Sequence, residues 1–382
     1  MGKASDQEKL LQQTDSLLRL RSYAAAFDLL QQADPSHQQP DLVLRKVDIA
    51  WNYYVRSIMH QLFAFKNLDV SEQLDSLRQA GGDYRVVRFP ADTILKKLLR
   101  KHPQDFRLHK ALGDYYYDVF LKYDGSWLLE EAKLIEQIRY HLRLAVDNGE
   151  GDAMSYYVLG FFALTNGETD EAITFFRQSI QRNDQFPTAH YNLAYAYMEL
   201  KQRSQAIEAA KAALKLYHAA NYKADAARMV AILYEEEKNY EQAERFYAIS
   251  DSLLPDNLNT LTLRTSLYLR QEKYNGAQKL GLNILALNPR DPEVIRQLAV
   301  IYVQRKQTRQ LIDLLEEGKK RYDADAAARG NLCFFMGRAY SLLDEVDAAR
   351  KALKEARRQF ESVYPEEKHP VFKAIEKALA DL

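Results

Sequence analysis

The sequence predicts an all-α protein built from stacked helical hairpins, and two observations support this prediction. The first is composition: the 382 residues include only 14 Gly and 10 Pro. An average soluble protein has about 7% Gly and 5% Pro, so these helix breakers are present at roughly half the usual frequency. One core rarely grows beyond about 250–300 residues, so the length favours two domains or a repeat architecture.

The second observation is a repeat with a period of 34 residues. The segment that begins at Tyr156 aligns without a gap with the segment that begins at His190, and 190 minus 156 gives 34. A marker residue, usually small, occurs in the first helix of each unit, and an aromatic residue follows three positions later in seven of nine units. The nine markers are Thr14, Asp48, Gly113, Gly160, Ala194, Ala231, Thr265, Ala299 and Gly337.

A matching pattern marks the second helix of each unit. A residue that is usually small is followed four positions later by one that is usually larger and apolar, which places both on one helix face and allows close helix packing. Pro103, Pro255 and Pro289 end three of the units, because proline disfavours helix in the residue before it. The second-helix markers are Ala26, Ala91, Ile138, Ala172, Ala206, Ala243, Ala277, Leu311 and Ala349.

This order of residues resembles the tetratricopeptide repeat, a helix-turn-helix unit of 34 residues. The resemblance covers about residues 7–363 in nine units, and it implies a right-handed α-solenoid, or superhelix, with a C-terminal capping helix. Arg228 and Arg264 fall on or next to Leu positions of the repeat, and Gly281 replaces the usual Phe. We therefore expect looser packing or a bend in the sixth and seventh units.

The repeat spacing divides the chain into three parts. These are N-terminal units with two insertions (1–152), a regular array (153–363) and the capping helix (364–382). Insertions in repeat proteins form loops on one face, often the binding face, although a decorated helix–helix turn is an equally simple interpretation.

The first insertion spans about residues 55–90, and the second spans about 118–131. Before the first, the apolar pattern from Asp41 predicts a helix that continues to about residue 65. The remainder, which contains Gly81 and Gly82, predicts a loop with a short extended piece at YRVVRF. The second insertion contains Tyr123, Asp124, Gly125, Ser126 and Trp127.

The sequence predicts no enzymatic activity, no metal and no cofactor. None of the eight His residues has the HExxH spacing, and no glycine-rich phosphate-binding loop is present. Cys333 is the only cysteine, so an internal disulfide is excluded. Carboxylate pairs such as Asp114 with Asp118 would suit a glycosidase, but charged surface faces are far more common.

In the resembling family, the first helices line a concave groove. Tyr and Arg are frequent at binding hot spots, so we expect a protein or peptide segment to bind there, with four aromatic residues as anchors. The alternative is that these rings fill the space between adjacent first helices. The predicted partner-binding residues are Arg107, Lys110, Tyr117, Tyr157, Phe161, Tyr191, Asn192, Tyr195, Arg228, Arg296 and Arg338, of which Tyr157, Phe161, Tyr191 and Tyr195 are the anchors.

The family resemblance leaves the kind of partner open. Some family members grip a C-terminal carboxylate with a clamp of Lys, Asn and Arg, but only Asn192 matches that clamp here. The predicted function is a non-catalytic scaffold or adaptor, with a peptide-responsive regulatory protein or an RNA-binding helical repeat as alternatives. Lys plus Arg and Asp plus Glu both number 53, which disfavours a nucleic-acid partner.

The sequence gives a weaker indication of compartment. It has no run of about 18 apolar residues, and its first ten residues lack the apolar core of a signal peptide. We therefore expect a soluble protein, with the cytoplasm favoured and the periplasm open if a leader has been removed. The oligomeric state is left open.

Overall fold

The computed structural model describes residues 6–78, 80–123, 127–364 and 369–382. These residues form twenty helices and three short strands. Helices pair into hairpins along the described chain, and a last helix follows them, which confirms the predicted fold class. The chain divides into two compact units, one up to Ala196 and one from Tyr197, which are described separately below. The predicted part boundaries at 152 and 363 stay predictions.

The first unit contains four pairs of first and second helices and most of one further first helix. Its helices are α1 (Asp6–Arg19), α2 (Tyr23–Ala33), α3 (Pro40–Asn52), α4 (Leu74–Leu77), α5 (Ala91–Lys101), α6 (Phe106–Tyr123), α7 (Glu131–Asp147), α8 (Ala153–Thr165), α9 (Thr169–Arg182) and the start of α10 (Pro187–Glu199). Its strands are β1 (Arg56–Ile58), β2 (Leu62–Phe65) and β3 (Arg85–Arg88).

The described residues of the second unit form helices joined by short turns. It contains α11 (Arg203–Leu216), α12 (Ala220–Glu236), α13 (Tyr240–Leu253), α14 (Leu258–Arg270), α15 (Tyr274–Leu287), α16 (Pro292–Gln304), α17 (Thr308–Arg321), α18 (Ala326–Ser341), α19 (Val346–Val363) and α20 (Pro370–Ala380). Within the part of the chain described, no helical segment combines the length and apolar character needed to cross a lipid bilayer.

Small marker residues allow the two helices of a hairpin to approach closely. A Cβ on Gly160 would lie 2.7 Å from the ring of Phe176. A Cβ on Gly113 would lie 2.5 Å from the side chain of Leu142, and one on Gly337 would lie 2.6 Å from the side chain of Leu353. Each larger partner is the residue four positions after the second-helix marker of the same unit. The sequence pattern therefore predicted which side chains interlock.

The turns inside the hairpins share a left-handed backbone position. It falls seven residues after the first-helix marker, and φ there lies between 57° and 77°. Only one of these residues is glycine, although L-residues with a side chain are strained in this region. The turn residues are Arg21, Gly167, Lys201, Lys238, Glu272, Lys306 and Asp344.

The predicted long helix from Asp41 is wrong. Helix α3 ends at Asn52, and the residues after it form β1 and β2 instead. The predicted extended piece at YRVVRF is confirmed as β3, and β2 pairs with β1 and with β3 in one antiparallel sheet. Successive residues of β1 and of β2 point to opposite faces of this sheet, and a turn at residues 59–61 joins the two strands.

The second insertion differs from a simple loop. Helix α6 continues to Tyr123, so half of the predicted insertion is helical. Asp124, Gly125 and Ser126 lie outside the described residues. Trp127 is buried, and its indole N–H donates a hydrogen bond to the carbonyl of Met59, 2.7 Å away. The second insertion therefore contacts the first.

The expectation of loose packing at Arg264 and Gly281 is also wrong. Arg264 is largely buried and forms ion pairs with Glu244, at 2.7 Å, and Asp251, at 2.8 Å, which join α14 to α13. Gly281 lies against Leu314, because a Cβ there would come within 2.7 Å of the Leu314 side chain. The missing Phe therefore permits a close approach of α15 and α17.

Helix α20 covers the end of the last hairpin, as the predicted capping helix should. Phe372 and Ile375 are buried and pack in one cluster with Leu353 and Phe360 of α19 and with Cys333 of α18. Residues 365–368 of the predicted cap lie outside the described residues.

Candidate partner-binding surfaces

The first surface lies on α8 and α10 in the first unit, and we call it the α8–α10 face. It contains five predicted residues. Tyr195 is the most exposed of their rings, with 41% of its surface accessible, whereas the other three rings are half-buried. These five are Tyr157, Phe161, Tyr191, Asn192 and Tyr195.

Tyr157 takes part in packing between helices. The side-chain amide of Asn192 donates a hydrogen bond to the Tyr157 hydroxyl over 3.1 Å, which joins α8 to α10. The Tyr157 ring also contacts the rings of Phe186, with 5.0 Å between centroids, and Phe176, at 6.1 Å. For Tyr157 the alternative interpretation, a ring between adjacent first helices, therefore describes the structure better.

Tyr117 has a similar environment on α6. It is half-buried beside Phe120 and Phe162, with both ring centroids 6.4 Å away. Burial raises the pKa of the Tyr117 hydroxyl. This residue thus connects α6 to α8 and offers a partner only part of its ring.

The second surface is a cleft of about 430 Å³ between α3 and α6, which holds two predicted cations. Lys110 lies 2.6 Å from Asp114 and 2.9 Å from Asp152. Burial lowers the pKa of Lys110, but Asp114 and Asp152 together outweigh that effect and raise it. The cleft is lined by Leu44, Val47, Asp48, Trp51, Asn52, Arg107, Lys110, Ala111 and Asp114.

Carboxylates also balance the charge of Arg107. Its guanidinium makes two hydrogen bonds to Asp105, of 2.7 and 2.8 Å, and one of 2.8 Å to Asp41. The hydrogen bonds to Asp105 raise the pKa of Arg107. Asp48 and Asp114 also line this cleft, so two carboxylates balance the two cations of its lining and a ligand meets little net charge.

The third surface is a cleft of about 530 Å³ in the second unit, formed by α12, α14 and α16. It brings together the predicted residues Arg228 and Arg296, which are 68 positions apart in the sequence (296 minus 228). We call it the α12–α14–α16 cleft. Its lining residues are Arg228, Asn259, Thr262, Leu263, Arg296, Gln297, Val300 and Ile301.

The electrostatics of this cleft differ from those of the second surface. Arg228 pairs with Asp225 at 2.6 Å, and its Nη1 atom is buried without a hydrogen-bond partner among the described residues. Arg296 pairs with Glu293 at the exposed end of α16. Neither carboxylate lines the cleft, so its lining carries two cations, neutral amides and hydroxyls, and aliphatic side chains.

The neutral lining residues of this cleft were missed by the sequence analysis. Asn259 and Leu263 lie four positions apart on α14, and Val300 lies four positions after the predicted Arg296 on α16. Residues three or four positions apart share a helix face, so the spacing from Arg296 is the signal that would have found Val300.

Arg338 is placed elsewhere. It is exposed and lines a cleft of about 320 Å³ near the last helix, together with Phe334 of α18 and Lys377 and Asp381 at the end of α20. The structure therefore separates Arg338 from the cleft that holds the other two predicted arginines of the second unit.

Comparison with known proteins identifies one family. A family model described as Tetratricopeptide repeat matches residues 163–228, which run from α8 to α12. None of the curated proteins matches the chain.

Several solved structures are similar to the chain. A tetratricopeptide repeat protein from Parabacteroides merdae is 17% identical over 71% of this chain and 98% of its own, with a TM-score of 0.44. PilF from Pseudomonas aeruginosa is 23% identical over 52% of this chain and 83% of its own, with a TM-score of 0.39. YrrB, a tetratricopeptide repeat protein with an unusual peptide-binding site, is 13% identical over 49% and 95%, with a TM-score of 0.37.

Proposed function

The chain is a tetratricopeptide-repeat protein, and from this premise we propose that it is a non-catalytic scaffold or adaptor that binds a peptide or protein segment on its first helices. Repeat proteins of stacked helical hairpins present extended surfaces to their partners. The repeat type therefore supports protein binding in general, and the clefts of this chain support a more specific proposal.

The α12–α14–α16 cleft is the observation that carries the proposal. Three consecutive first helices contribute to it, and its lining combines aliphatic residues with Arg228 and Arg296. Arginine is frequent at hot spots, because it adds contact area to directional hydrogen bonds. A segment with an aliphatic side chain next to a carboxylate or a backbone carbonyl would satisfy both parts of this lining.

The α8–α10 face gives the first unit a binding area of its own. Tyr195 is exposed at its centre, and Tyr191 and Phe161 lie half-buried beside it. Tyrosine supplies a large contact area and a hydroxyl that finds a hydrogen-bond partner on binding. In this proposal Tyr195 contacts the partner, while Tyr157 and Asn192 hold α8 and α10 together.

A charge reversal in the cleft tests the proposal. Proteins captured from an extract of the source cells by the intact chain would be identified, and the binding segment of one would be purified for calorimetry. We expect Arg296→Glu to weaken its affinity by about tenfold or more, because the substitution places a carboxylate in a cationic cleft.

The matched control is Arg245→Glu, which makes the same change of charge at an exposed residue of the second helix α13. We expect this variant to keep the affinity of the intact chain. The Tyr191→Ala/Tyr195→Ala variant tests the α8–α10 face with helical circular dichroism as a folding check. Unchanged affinity in both Arg296→Glu and the tyrosine variant would contradict the proposal.

A further inference from the structure

The three-stranded sheet of the first unit has one face turned outward. Strand pairing places Arg56, Ala64 and Val86 in one row across the sheet, and Ile58, Leu62 and Arg88 in the next. Successive residues of a strand point to opposite faces, so these two rows share a face. We call these six residues the outer sheet face.

The opposite face of the sheet anchors it to the first unit. Phe63 and Phe65 are buried, and the Phe65 ring stacks on Phe27 with 4.9 Å between centroids. The turn between β1 and β2 is held by α6, since the Tyr115 hydroxyl donates to the carbonyl of His60 and the Tyr123 hydroxyl lies 2.9 Å from its Nδ1. The outer sheet face is therefore presented on a fixed support.

The outer sheet face combines exposed apolar side chains with uncompensated charge. Ile58 is 52% exposed and Val86 is 57% exposed. On the central strand Leu62 is half-buried and Ala64 is buried, so the exposed apolar surface lies on the two outer strands. Arg56 and Arg88 are exposed, and neither makes an ion pair or a hydrogen bond to any described residue. This distinguishes them from Arg85 on the other face of β3, which pairs with Asp28 at 3.3 Å.

We propose that the outer sheet face is a second docking surface, which binds an amphipathic helix of a partner protein with two acidic residues seven positions apart and apolar residues between them. This surface lies outside the first helices and would allow the scaffold to hold a second protein. The acidic residues of the partner helix would pair with the two arginines, and its apolar residues would contact Ile58, Leu62 and Val86.

The spacing of the acidic residues follows from the geometry of the sheet. Arg56 and Arg88 occupy diagonal corners, separated by two strand spacings of about 4.8 Å and by two residues along the strands, about 6.7 Å. Their Cα atoms are thus about 12 Å apart. Residues i and i+7 of a helix lie on one face about 10.5 Å apart, and the long arginine side chains cover the difference.

The apolar positions of the partner helix follow in the same way. Residues i+3 and i+4 lie between the two acidic residues on the same helix face. They would therefore contact the apolar middle of the outer sheet face. A helix laid on an open sheet face is also the usual way in which such a face becomes buried.

A designed peptide tests this inference on the full chain. The probe is a labelled, Ala-rich helical peptide with Glu at positions i and i+7 and Leu at i+3 and i+4, and its binding is measured by fluorescence anisotropy. We expect a micromolar to millimolar dissociation constant. The Arg56→Glu/Arg88→Glu variant should bind this peptide at least about tenfold more weakly. It should instead bind a peptide with Lys at both Glu positions.

Two further variants complete the test. Ile58→Ser/Val86→Ser should also weaken binding, because it removes the apolar contact. Arg350→Glu/Lys354→Glu is the matched control, since it makes the same change of charge at two exposed residues of α19 that have no partner in the described part of the chain. This control should bind the Glu peptide within about twofold of the intact chain.

Three results would overturn the inference. The first is that the Glu peptide does not bind at about 1 mM. The second is that the α19 control loses as much affinity as the Arg56→Glu/Arg88→Glu variant. The third is that a peptide with Pro between the two Glu residues binds as tightly as the helical peptide, which would indicate an extended occupant. Arg296→Glu should leave this binding unchanged, so the outcome is independent of the proposed function of the first helices.

Discussion

At the scale of single residues, two buried histidines make the first unit sensitive to pH. The Nδ1 atoms of His109 and His141 lie 2.8 Å apart between α6 and α7, so one donates a hydrogen bond to the other. Burial lowers the pKa of His141 to about 3, helped by His109 and Lys96, and burial also lowers the pKa of His109. The pair is therefore neutral in the folded protein at pH 7.

Acidification should destabilise this hairpin. An unfolded histidine takes up a proton near pH 6.5, whereas folded His141 stays neutral down to about pH 3. The contribution of His141 to the free energy of unfolding is therefore fully present above about pH 6.5 and falls as the pH drops towards 3. Between pH 7 and pH 5 we expect a loss of about 2 kcal/mol in the free energy of unfolding from this residue.

Urea unfolding of the intact chain and of His141→Gln at both pH values measures this loss. The variant keeps a polar side chain without a titrating group, so its pH dependence should be smaller by that amount. Equal pH dependence in the two proteins would show that His141 is not responsible.

At the scale of elements, the hairpin turns store backbone strain. Six of the seven left-handed turn residues have a side chain, as at Glu272 and Lys306, where φ is 59° and 57°. These positions could not be predicted from the local sequence, because a charged residue gives no sign of a positive φ. Their constant distance of seven residues from the marker was the signal that could have revealed them.

Glycine at such a turn should stabilise the protein. Removing the Cβ relieves a strain of about 1–2 kcal/mol, while the greater freedom of glycine in the unfolded chain opposes this by about 0.5–1 kcal/mol. We therefore expect Glu272→Gly to raise the melting temperature slightly and Gly167→Ala to lower it. Thermal unfolding followed by circular dichroism measures both, and a decrease for Glu272→Gly would contradict the argument.

At the scale of the whole molecule, the parts that could be predicted follow from periodicity. The contact of Gly160 with Phe176 could be predicted from the sequence, because each repeat uses the same two positions for packing between its helices. The sheet was not visible as a whole, since its strands span only three or four residues and pair through backbone hydrogen bonds between segments up to about 30 residues apart. The Trp127 contact that supports it comes from the second insertion. In the candidate sites, the positions of Arg228 and Arg296 followed from the repeat. The ion pairs of Lys110 with Asp152 and of Arg107 with Asp41 did not, because they join residues far apart in the sequence.

The last helix should protect the end of the second unit. Cys333 is fully buried beneath Phe372 and Ile375, and burial raises the pKa of its thiol to about 12. We expect Ile375→Asp to detach α20, since a buried carboxylate without a partner is costly. The melting temperature should fall, and Cys333 should react faster with a thiol reagent.

Lys373→Asp on the exposed side of α20 is the matched control and should leave the rate of the thiol reaction unchanged. If Ile375→Asp reacts as slowly as the intact chain, Cys333 does not depend on α20 for its protection.

The sheet also affects the order in which the first unit folds. Its insertion separates the two helices of the second hairpin, α3 and α5, by residues 53–90, whereas residues 166–168 are enough to connect α8 to α9. Closing the longer connection costs about 2 kcal/mol more in chain entropy, which contacts such as Phe65 on Phe27 must first offset. The other hairpins close through local contacts, so the second hairpin should be the slowest of the first unit to form and the first to open.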